Sequence, residues 1–130
     1  MPPDPRGEEV AGWLERASQD LRAAEVDLEA DPPLLADAAF HCQQAVEKAL
    51  KALLARHDHL FSKTHDIGEL ALACLEHDSS LEPLLRSSAP LTEYAWRFRY
   101  PGEILEPERA EVDDALDIAR RVVEAVAAAT

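Results

Sequence analysis

The sequence predicts an all-α fold, an up-and-down four-helix bundle with an additional short helix. Two observations carry this expectation. Ala and Leu make up much of a 47% hydrophobic content, with 5% aromatic residues and four glycines in 130 residues, whereas strands draw on β-branched and aromatic side chains. Apolar residues also recur at spacings of three and four along most of the chain, which lines up one face of a helix. A chain this long supplies one core, so residues 1–130 read as a single domain whose first seven residues fray.

Taken in order, Val10, Leu14, Ala17, Leu21, Ala24 and Leu28 give a first helix from about Glu8 to Glu29, with Trp13 widening its inner face. Asp31-Pro32-Pro33 stops it and opens the next, because proline suits a first turn but not a helix interior. The second helix runs to about His57 on the stripe Leu35, Ala39, Cys42, Val46, Ala49, Leu50, Leu53 and Leu54. Gln44, Lys48 and Lys51 fall on its other side, where core packing does not require them, and Glu47 precedes Lys51 by one turn as a supporting pair.

Asp58 to Lys63 reads as a loop, after which Thr64 or Asp66 caps a short helix with Glu69 placed as in a capping box. Its inner face is Ile67, Leu70, Ala71, Cys74 and Leu75. Leu81, Leu84, Leu85, Leu91, Ala95 and Phe98 continue at helical spacing to about Tyr100, with Pro90 kinking the segment or opening its second half. The last helix spans about Pro107 to Ala128 and turns Val112, Ala115, Leu116, Ala119, Val122, Val123 and Val126 inward. Early acids and the late Arg120 and Arg121 complement its dipole.

A net charge of −13 repels nucleic-acid phosphates over most of the surface, so any phosphate contact is local. Cys42 and Cys74 occupy apolar-stripe positions and read as buried free thiols, which suits a reducing cytosol. No apolar run reaches the roughly 20 residues of a membrane span, and no cationic leader precedes Pro2. The expected setting is cytoplasmic, without membrane.

A particular order of residues carries more information. Asp20-Leu21 with Ala24 is followed by His41-Cys42-Gln43-Gln44-Ala45-Val46-Glu47-Lys48-Ala49-Leu50-Lys51-Ala52-Leu53, then Lys63-Thr64-His65-Asp66-Ile67 with Leu70, then Leu91-Thr92, Tyr94 and Arg99-Tyr100-Pro101. In this order, over roughly Trp13 to Val123, the chain resembles the HEPN family. The resemblance implies a four- or five-helix bundle, often a homodimer, frequently encoded beside or fused to a small nucleotidyltransferase. Some members are metal-independent ribonucleases that act as toxins through an arginine followed, after four to six residues, by a histidine. This chain departs from that motif. Neither Arg97 nor Arg99 has a histidine at the required spacing, and none occurs after His77.

Metal-independent RNA cleavage needs a proton acceptor and a cation, and only Arg99, with His65 as a substitute base, offers them. A plainer role for His65 is to hold its loop by hydrogen bonding beside the cap. Arg97, Arg99 and Tyr100 suit a phosphate and a stacked base; alternatively, Arg99 pairs with a carboxylate and Tyr100 covers the bundle end. Gln44, Lys48 and Lys51 extend that surface, form a dimer face, or are simply solvated. Trp96 lies off the apolar stripe and suits a subunit contact. His57, Asp58 and His59, with His65 nearby, include zinc-ligand types, but their spacing is that of a solvated loop rather than of a structural site. The expectation is a noncatalytic nucleotide- or RNA-binding homodimer without cofactor or metal, partnered by a nucleotidyltransferase in a toxin–antitoxin-like pair. The alternative is a ribonuclease toxin with a diverged site.

Overall fold

The computed structural model describes residues 4–61, 63–98 and 106–130. Arg99 and Tyr100, on which part of the expected binding surface falls, lie outside the described residues. The helices are α1 (Pro5–Glu29), α2 (Leu35–Arg56), α3 (Ile67–Leu75), α4 (Glu82–Ser88) and α5 (Arg109–Ala129), with 3₁₀ segments at Ser79–Leu81 and Ala89–Ala95 and no strand among the described residues.

Helix α1 begins earlier than its apolar stripe suggests. Asp4 is extended, its carboxylate accepts the Arg6 N–H at 3.1 Å, and Pro5 takes the first helical position, where its missing N–H costs nothing. Residues from Pro5 onward are therefore helical where fraying was expected. Helices α1 and α2 form an antiparallel hairpin, because Asp27 meets Leu34, Asp20 meets His41 and Lys48, and Trp13 meets Lys51.

Helix α2 is the axis of the molecule. It packs on α1, α3, α5 and the Ala89–Ala95 segment, and Val46, Leu50, Leu53 and Leu54 have no exposed surface. This enclosure corrects the expectation of a free polar face. Lys51 is only 8% exposed and Glu47 3%, since Trp13 of α1 and Phe61 of the following loop close over that side.

Of the two proposed caps of α3, Asp66 is the one used: its carboxylate accepts the Glu69 N–H, while the Thr64 hydroxyl accepts the Asp66 N–H in the turn before the helix. Cys42 and Cys74 are buried free thiols, and burial pushes each to a pKa of about 12. The fourth apolar segment is not one long helix. It divides into α4 and a 3₁₀ segment at Ala89-Pro90, where proline cannot donate the next helical bond. Phe98 packs partly buried against the core and Trp96 is 48% exposed. On α5, every residue expected to face inward is buried. Among the described residues, no helix is long and apolar enough to cross a membrane.

Candidate functional site

The apolar stripe of α1 is interrupted by two carboxylates, Asp20 between Ala17 and Ala24, and Asp27 beside Leu28. Both are buried. A buried carboxylate must find donors, and for Asp20 these come from one face of α2. Asp20 Oδ1 accepts from His41 Nδ1 at 2.8 Å, and Oδ2 accepts from Lys48 Nζ at 2.5 Å. Positions 41 and 48 lie two turns apart on the same helix face, so one acid bridges both. The other nitrogen of His41, Nε2, faces Asp37 at 3.4 Å.

This cluster forms the floor of a polar groove of about 780 Å³ between α1 and α2, lined by Gly12, Glu15, Arg16, Gln19, Asp20, Ala23, His41 and Lys48. The groove is open beside Gly12, where an added Cβ would meet nothing within 4 Å. Arg16 is exposed on the rim and has no ion-pair partner among the described residues.

A second group lies on the adjoining face of α2, where Gln43, Glu47 and Lys51 stack at one-turn intervals. The Glu47 carboxylate accepts from His65 Nδ1 at 2.5 Å and from Gln43 Nε2 at 3.4 Å, and it pairs with Lys51 Nζ at 3.5 Å. Lys51 Nζ also stands 5.5 Å from the Trp13 ring centre and 5.8 Å from that of Phe61, a favourable place for a desolvated cation. Gln43 is fully buried; its Nε2 also donates to the His65 carbonyl, and its Oε1 accepts from Gln44. The network holds the loop before α3 against α2, as expected of His65.

The residues expected to form one surface thus separate. Lys48 joins Asp20 and His41 in the groove, whereas Gln44 and Lys51 belong to the Glu47 network. Arg97 is engaged elsewhere, with Glu93 at 3.2 Å, Glu111 at 3.9 Å and the Phe98 ring at 5.0 Å. Glu111 also accepts from the Tyr94 hydroxyl at 2.7 Å, and burial followed by that bond raises the Tyr94 pKa. Among the described residues, His65 joins no cluster of ligand atoms with His57, Asp58 or His59. Sequence reasoning missed Asp20, His41, Gln43 and Glu47 as functional candidates. The readable signal was a charged or amide side chain at apolar-stripe spacing, as in Ala17, Asp20, Ala24.

The HEPN domain family matches residues 10–129 of the chain. Among solved structures, the chain is similar to the crystal structure of TT1696 from Thermus thermophilus. The two are 33% identical, with a TM-score of 0.76 over 90% of this chain and 94% of that one. No curated protein matches the sequence.

Proposed function

Since this chain belongs to the HEPN domain family, we propose that it is a noncatalytic nucleotide- or RNA-binding module, acting in the cytoplasm as a homodimer and as the partner of a nucleotidyltransferase in a toxin–antitoxin-like pair. The observation that carries the binding reading is the α1–α2 groove. It is open and polar, it presents Lys48 and His41 on a hydrogen-bonded floor, and Arg16 stands free at its rim. A nucleotide suits it in size, and Arg16 is the lining cation not already paired with a carboxylate, so the phosphate contact falls first to Arg16. Binding is favoured over catalysis because both ring nitrogens of His41 face carboxylates, whereas a general base must offer a free lone pair to its substrate. By residue type alone, Arg99 and Tyr100 are further candidates for a phosphate and a stacked base. Arg97, already facing two glutamates, contributes less.

Fluorescence anisotropy of the purified chain with labelled single-stranded RNA, and competition by ATP, tests this reading. Arg16→Ala is the cleanest variant, because it disturbs no pair that holds the fold. The expected result is saturable binding weakened roughly five-fold or more, in line with loss of one charge-assisted contact. Absence of binding by the wild type to either probe, together with no nucleotidyltransferase recovered with it from its host, would sink the proposal.

One observation favours the ribonuclease reading. Glu47 holds His65 by Nδ1 while the side chain remains 67% exposed, leaving Nε2 to face solvent as an oriented base would. RNA cleavage without added metal, lost in both His65→Ala and Arg99→Ala, would establish that reading in place of the noncatalytic one.

A further inference from the structure

Three histidines meet where the chain leaves α2 and where it leaves α3. Asp58 adopts a left-handed conformation, with φ of 54°, and turns the chain sharply after α2. The turn is secured by the His57 N–H to the Leu53 and Leu54 carbonyls, and by the His59 N–H to Leu54 O at 2.9 Å. On the facing arm, the His77 and Asp78 N–H groups both donate to the Cys74 carbonyl at the end of α3. Two backbone-anchored arms therefore present their side chains to each other.

His59 Nδ1 lies 2.8 Å from His77 Nε2 and 3.8 Å from Glu76 Oε2, and the ligand atoms of these three residues all fall within 4.8 Å of one another. The His57 ring stacks on His77, with centroids 4.3 Å apart and planes 5° from parallel, which sets the orientation of the His77 imidazole. Two nitrogens bound to one tetrahedral zinc stand about 3.3 Å apart at ordinary bond lengths, so receiving an ion requires a shift of a few tenths of an ångström. The proton now shared between the two rings would move to the other nitrogen of its own ring, freeing both lone pairs without an added base.

We propose that His59 Nδ1, His77 Nε2 and a Glu76 carboxylate oxygen form a binding site for a divalent cation of the zinc class, which staples the end of α2 to the end of α3. Two imidazoles and one carboxylate select a borderline cation over magnesium or calcium, which prefer all-oxygen shells. Three protein ligands leave a fourth position for water. Because the stapled segment leads within six residues to His65, the ion also restrains the loop that delivers His65 to Glu47. No spacing rule reveals the site, since His77 is 18 residues from His59 and the fold alone unites them.

The test is isothermal titration of the full, tag-free chain with zinc alone and with magnesium alone, followed by X-ray absorption of the zinc-loaded protein. The expected result is one zinc bound and no magnesium. Affinity should fall roughly ten-fold or more in each of His59→Ala, His77→Ala and Glu76→Gln, all checked for native helicity, and two imidazole nitrogens should appear at about 2.0 Å. Failure of the wild type to bind zinc would overturn the proposal. So would zinc binding that survives His59→Ala and His77→Ala but is lost in His41→Ala, because the ion would then sit at the separate cluster of Asp27, Asp37 and His41.

Discussion

Asp27 shows how one residue can set a pH response. The residue is 9% exposed, and its Oδ2 is buried with no hydrogen-bond partner among the described residues. Burial, then a hydrogen bond with Asp37 and repulsion from its charge, raises the Asp27 pKa from the ordinary 3.8 to about 6. A carboxyl raised in this way favours the folded state only while it is protonated. Its contribution is fully present below 3.8 and is lost as pH rises to about 6, because above that point folding must bury an ionised group. Asp27→Asn keeps the shape without the charge. Thermal and urea unfolding should therefore show the variant level with the wild type near pH 3 and more stable by about 2–3 kcal/mol above pH 6, from the size of the shift. Equal stability of the two proteins at pH 7.5 would count against this account. Asp20, on the same stripe, differs because His41 and Lys48 supply it with donors.

At the scale of elements, α2 has more to lose than any other helix because it is enclosed on several sides. Leu50 has no exposed surface, and the adjoining Leu50 carbonyl accepts from Cys74 Sγ of α3. Leu50→Ala should cost about 2–5 kcal/mol in urea unfolding, as truncation of a fully buried leucine does. Truncation of Leu72, which is 71% exposed on α3, should change stability by less than about 0.5 kcal/mol. Helix identity was legible because apolar spacing and caps are local properties: α5 and the Asp66 cap of α3 follow directly from neighbouring residues. The division of the fourth segment was half legible, through Pro90. The enclosure of Lys51 was not, because its cover comes from Trp13, distant in sequence, and from Phe61 in a loop without regular periodicity.

The molecule as a whole carries a charge of −13, so nucleic acid is repelled everywhere except where a cation is locally free. If the α1–α2 groove is the binding site, Arg16 and Lys48 are the lysine and arginine side chains that line it, and Lys48 is already paired with Asp20. The logarithm of RNA affinity should then fall against the logarithm of salt with a shallow slope of roughly −1 to −2, at about −0.7 per contact on a single strand. Anisotropy titrations across a salt series read this slope directly. A steep dependence would mean a broad cationic face that this chain does not possess.

By itself the sequence determined that this chain is helical, where most of its helices begin and end, that its thiols are buried, and that its residue order is that of a HEPN domain. Each of these follows from local spacing, capping chemistry or a linear motif. Only the tertiary structure decided what the polar residues do. It gave Asp20 to His41 and Lys48, Glu47 to His65, and His59 to His77, because a polar group is satisfied by whichever partners the packing brings across from another segment. Those partners lie between 18 and 28 residues apart in the chain, and side-chain spacing within one helix carries no record of a neighbour on the next.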